Sequence, residues 1–130
     1  MPESSHPQSL LPLPAPPPGD LRIVLVILRR MAGHGLQDGR AVMLALETFG
    51  TAFRRPLTLL RAYLVEVARA SRRQIRFAPC CACRMTLDEA RLVGVLATIA
   101  ETPGSAARHL TLLCNSQEID APSQVAGLFA

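Results

Sequence analysis

The chain has 130 residues and a mass of 14.0 kDa, with 49% hydrophobic and 18% charged residues and a mean hydropathy of +0.25. One domain usually spans about 100–150 residues, so a multidomain enzyme is excluded, and so much apolar content excludes a wholly disordered chain. Four cysteines are too few for a disulfide scaffold that replaces a core, and the densest apolar run, Ile23–Leu28, is far short of the roughly 18 residues of a membrane span.

Charge is unevenly placed. The formal net charge is +4, with no lysine; all fourteen basic residues are arginine, and seven of them (54, 55, 61, 69, 72, 73 and 76) fall in residues 54–76 beside the single acid Glu66. A basic patch attracts phosphate, acidic protein or a membrane surface, and it also serves as a plain solvated helix face.

Residues 1–19 hold seven of the eleven prolines. Proline fixes φ and lacks an amide donor, so the segment reads as a disordered or polyproline II tail, with a single helical domain over 20–130. It is not a secretory signal, because no basic residue precedes an apolar core.

The elements that follow read as helices. Asp20 is a plausible N-cap for a helix to Gly33, buried around most of its circumference, with Arg22 and Arg29 as polar positions. Gly33-His34-Gly35 stops it. Asp38 caps a second helix, on which Val42, Leu46, Phe49 and Phe53 follow the spacing of one buried face. Arg55-Pro56 marks a break. The third helix runs from about Pro56 to Ile75 with Leu57, Leu60, Leu64 and Val67 inward. If it extends to residue 76, Arg61, Arg69, Arg72 and Arg76 share a sector of about 80° opposite the core.

After the connector Phe77-Ala78-Pro79 comes Cys80-Cys81-Ala82-Cys83-Arg84-Met85. Thr86-Leu87-Asp88-Glu89 is then a capping box opening a fourth helix to about Ala100. Thr102 or Ser105 caps a short fifth helix ending near Cys114, and Pro122–Phe129 forms a last one. No strand pair and no internal repeat is evident. The expected fold is a compact all-α bundle of five or six helices.

The cysteine turn carries the strongest chemistry. Cys80 and Cys83 form a Cys-x-x-Cys pair with Cys81 between, beside Arg84 and a capped helix N-terminus, a setting that favours thiolate. Zinc wants four tetrahedral ligands; Cys80, Cys81 and Cys83 supply part of that shell, with Cys114, His109 or His34 to complete it. A reversible thiol redox switch uses the same residues. An iron–sulfur cluster fits poorly, because the spacing matches no common ferredoxin. Small buried, inert thiols remain the plain alternative.

His34 sits between two glycines, accessible for a metal or a proton. No phosphate loop, no nucleophile elbow and no pair of carboxylates outside the capping box is present, so no residue is assigned a catalytic role. The arginines Arg61, Arg69, Arg72 and Arg76 are candidate contacts for an anion or an acidic partner. Nucleic acid is less well supported than protein, since only 4% of residues are aromatic.

The strings Arg29-Arg30-Met31-Ala32-x-His34-Gly35-Leu36, Phe53-Arg54-Arg55-Pro56-Leu57 and Ala78-Pro79-Cys80-Cys81-x-x-Arg84-Met85-Thr86 resemble a small proteobacterial family of uncharacterised proteins, over roughly residues 21–97. The resemblance implies a bacterial cytosolic protein and brings no catalytic residue with it. The expectation is a small cytoplasmic helical binding or regulatory protein, with a metal-binding or redox-sensing turn at Cys80–Cys83; an arginine-mediated binder of nucleic acid or acidic protein is the alternative. A small domain rich in Leu, Val and Ala cannot hide all its apolar area, so a homo-oligomer is expected too.

Overall fold

The computed structural model describes residues 13–79 and 82–129. Among these, six α-helices follow a two-residue strand: β1 (Leu13–Pro14), α1 (Asp20–His34), α2 (Gly39–Phe49), α3 (Arg54–Ala70), β2 (Arg84–Met85), α4 (Leu87–Thr98), α5 (Pro103–Cys114) and α6 (Asp120–Phe129). The all-α bundle expected from the sequence is the observed fold.

Local chemistry sets most of the helix ends. Gly35, at φ 108°, ends α1 while its amide donates to the Met31 carbonyl. The Asp38 carboxylate accepts the Ala41 amide at 3.0 Å and caps α2. Gly50, at φ 65°, turns the chain through a short 3-10 segment into α3, so the break falls before Arg54 and Pro56 sits inside the first turn. Thr86 and Glu89 form the capping box of α4 as expected. Asn115, in the left-handed conformation at φ 51°, ends α5.

α1 packs on α2, α3 on α6 and α4 on α5; α1 also meets α3 and α4. The core joins Ile27 and Leu28 of α1 to Leu60, Tyr63 and Val67 of α3, with Leu92 and Val95 of α4, Leu110 and Leu113 of α5 and Ala126 of α6. Tyr63 is fully buried, and its hydroxyl donates to the Leu92 carbonyl at 2.7 Å. Burial pushes that hydroxyl's pKa far up, with Cys114 adding to it, so it stays a donor.

Three expectations change. The buried face of α2 is rotated from the expected one: Val42, Phe49 and Phe53 pack only partly buried against the core, and Leu46 is exposed. Ala41 and Ala45 are fully buried, whereas Leu46 is 45% exposed and Met43 59% exposed. The two alanines carry nothing beyond Cβ, so α2 can lie close against α1; Met43 and Leu46 are turned outward, while Val42, Leu44 and Phe49 pack partly buried at the edge of the core. The third helix ends at Ala70, short of Ile75, because the Arg72 amide turns to the Cys114 carbonyl at 2.8 Å and the Arg73 side chain turns to Asp88.

A strand pair also exists. Leu13 pairs with Met85 and Pro14 with Arg84 in an antiparallel register. Residues 1–12 of the expected tail lie outside the described residues, but its end at 13–16 is tied to the fold and Pro16 is buried.

Candidate functional site

Arg29 stands on the inward side of α1, one helical turn after Leu25. Its side chain is 2% exposed, and Glu89 of α4 is 0% exposed. The two meet through two parallel bonds, Nε to Oε2 at 2.7 Å and Nη2 to Oε1 at 3.0 Å. Arg29 then spends its other donors on backbone: Nη1 to the Ala82 carbonyl and Nη2 to the Arg84 carbonyl, both at 2.9 Å. The Glu89 carboxylate also accepts the Ala78 amide at 3.0 Å and the Thr86 amide at 2.9 Å. A buried ion pair is tolerated only when its remaining polar valences are filled, and here the connector's backbone fills them.

The neighbouring Asp88 holds the other half of that connector. It pairs with the Arg73 guanidinium and accepts the Arg76 amide at 2.8 Å. The Thr86 hydroxyl donates to the Arg76 carbonyl at 2.9 Å. The first turn of α4 thus gathers the described parts of the connector, residues 73–79 and 82–86.

The described part of the cysteine segment, residues 82–84, is held by bonds to Arg29, Ala15 and Pro79. The Ala82 and Arg84 carbonyls face Arg29, and the Cys83 carbonyl between them accepts the Ala15 amide at 3.4 Å. The Ala82 amide donates to the Pro79 carbonyl at 3.1 Å, which joins the described chain on either side of positions 80 and 81. Cys83 itself is exposed. Cys80 and Cys81 lie outside the described residues.

The other proposed ligands are differently placed. His34 is exposed at the end of α1 and lines a shallow groove of about 350 Å³ with Arg29, Ile75, Phe77, Ala78 and Pro79. It therefore shares that groove with Pro79, the last described residue before position 80. Cys114 is buried in the core, with Sγ 3.8 Å from the Val67 carbonyl. Burial pushes its thiol up, against a smaller opposing effect of Arg73. Among the described residues, no group of three or more His, Cys, Asp and Glu side chains is placed to hold a metal ion.

The arginine stripe does not continue along one helix. Arg61 donates through Nε to the Leu36 carbonyl at 2.8 Å and clamps the α1–α2 loop to α3. Arg69 pairs with Glu66 at 3.4 Å on the exposed face. Arg72 and Arg76 lie beyond the helix end. Arg69 and Arg72 share an open groove of about 320 Å³ with Glu66 and Glu118, so its charge is mixed.

Sequence reasoning missed Arg29 and used Glu89 only as a cap. A signal existed for Arg29, which lies four residues after Leu25 and one after Leu28, within the apolar stripe rather than opposite it. Glu89 gave none beyond the capping box, since its second partner is sixty residues away.

Fold and site together define a small all-helical protein whose irregular, cysteine-bearing connector is held by a buried ion pair. The chain belongs to a family of unknown function (DUF6628), whose model matches residues 2–115. That span contains the ion pair, the cysteine turn and α1 to α5. No curated protein matches the chain, and no solved structure does. Among the described residues, no helix is long and apolar enough to cross a membrane.

Proposed function

We propose that the chain is a small regulatory protein that uses the Cys80–Cys83 turn as a thiol switch. The observation that carries this reading is the fixed backbone around an exposed thiol: three consecutive carbonyls, at Ala82, Cys83 and Arg84, are each bonded while the Cys83 side chain faces solvent. A buried ion pair spent on holding a surface turn suits a turn whose geometry matters.

In this reading the oxidant is a peroxide. The Cys83 sulfur attacks the peroxide, breaks its O–O bond, becomes a sulfenic acid and releases water. The Cys80 thiol then attacks that sulfur, forms the S–S bond and releases a second water, so two thiols are oxidised as one peroxide is reduced. Cys-x-x-Cys spacing permits that closure. The reading places the chain in a reducing bacterial cytoplasm, where the thiols begin reduced.

The test is peptide mapping of the full chain after peroxide treatment, with metal analysis of the untreated reduced protein. The expected result is one disulfide within the peptide holding residues 80–83 and a reduced Cys114. About one zinc per chain, with the turn's thiols protected until the metal is removed, replaces the switch with a metal site. Thiols that all stay reduced overturn it as well.

A further inference from the structure

Among the described residues, nothing covers the outward face of α2. Met43 and Leu46 are 59% and 45% exposed, one helical turn apart, and Val42 beside them is only partly buried. Near the end of α2, Phe49 packs edge-on against Phe129 of α6, with ring centroids 6.3 Å apart, and Leu128 next to Phe129 is exposed. These residues extend the apolar surface beyond α2.

A charged row borders the apolar one. Arg40 and Glu47 are both exposed and seven residues apart, so they lie within about 20° of each other around α2, beside Met43. Neither has an ion-pair partner among the described residues.

We propose that α2 is a homodimer interface in which two copies pair antiparallel about a two-fold axis, with Met43 and Leu46 at the centre and Arg40 of each copy against Glu47 of the other. The charges choose both the occupant and the direction. A two-fold axis normal to the plane of the two helices keeps both charged rows on one side of the contact and reverses their order, so opposite charges meet twice. A parallel pairing puts the two rows on opposite sides, where they do not meet. A face that is apolar at its centre and carries opposite charges at its ends is self-complementary, as an isologous contact requires. An eleven-residue helix is about 16 Å long, and a stable interface buries about 800 Å² per partner, so the Leu128 and Phe129 surface is part of the contact.

This inference does not rest on the thiol reading, and its test is run in reductant to exclude intermolecular disulfides. Sedimentation of the full chain across a wide concentration range is expected to show a reversible monomer–dimer equilibrium. Leu46→Glu acts twice across the axis and is expected to weaken dimerisation by about two orders of magnitude. Arg40→Glu and Glu47→Arg each weaken it, and the double variant Arg40→Glu/Glu47→Arg restores it. All three substituted positions are on the surface, and circular dichroism checks that each variant stays helical. A strict monomer overturns the proposal. So does a dimer indifferent to Leu46→Glu, or a loss in the single charge variants that the double variant does not repair.

Discussion

Arg29 and Glu89, sixty residues apart in sequence, meet through two hydrogen bonds with both side chains out of solvent. Four backbone groups of the intervening connector complete the pair: two carbonyls on Arg29 and two amides on Glu89. Removing one partner of such a pair strands a buried charge. Glu89→Gln is therefore expected to lower stability by about 3–5 kcal/mol, measured by urea unfolding. Replacing both residues by Met is expected to cost less than the sum of the single Met replacements, because neither charge is then left alone.

His109 gives the fold a pH dependence. Its Nδ1 is buried with no hydrogen-bond partner among the described residues, and its ring lies against Gly94. Burial, then the nearby Arg91, lowers its pKa below the ordinary 6.5. A base whose folded pKa is depressed contributes its full stability above the unfolded value. That contribution is lost as pH falls from about 6.5 through the folded value. Urea unfolding of the parent is expected to show stability falling over this window, and His109→Phe is expected to flatten that part of the profile. An unchanged profile in the variant contradicts the assignment.

Two helix glycines separate packing from propensity. A Cβ on Gly94 would stand 3.1 Å from His109 Nε2, whereas a Cβ on Gly127 would meet nothing within 4 Å. Replacing an interior helix glycine by alanine ordinarily stabilises by about 1 kcal/mol. Gly127→Ala is expected to show most of that gain in thermal unfolding. Gly94→Ala is expected to show none, or a net loss, because the imidazole must move.

The described thiols differ in exposure, and their alkylation is expected to follow. Cys83 is exposed, while Cys114 is buried with its thiol pushed toward the protonated form. Mass-spectrometric mapping after a brief exposure to iodoacetamide is expected to find Cys83 modified and Cys114 untouched, with Cys114 reacting only on unfolding. Equal labelling of both contradicts the placement of Cys114 in the core.

Much of the fold was readable because its signals are local. The Asp38 cap, the stop at Gly35, the Thr86–Glu89 capping box and the end of α5 each depend on residues within a few positions of one another. The misread features depend on distant partners. The end of α3 at Ala70 answers to Cys114 and Asp88, and the turning of Leu46 to solvent, while Val42 and Phe49 stay at the core's edge, answers to how closely Ala41 and Ala45 let α2 approach α1. The β1–β2 pair was missed because two residues carry no periodicity. At the candidate site, the cysteine spacing and the capping box were visible, but not the ion pair that joins them. An arginine and a glutamate sixty residues apart announce nothing about each other.

Native-state hydrogen exchange at the Ala78 and Thr86 amides tests the account most directly. Both amides belong to the irregular connector, where amides ordinarily exchange through small local openings. Both here donate to the buried Glu89 carboxylate. If the ion pair fixes the cysteine turn, these two amides exchange about as slowly as those in the middle of α4, and Glu89→Ala releases them. Exchange at the rate of an open loop in the parent chain would mean that the turn is not held by Arg29 and Glu89.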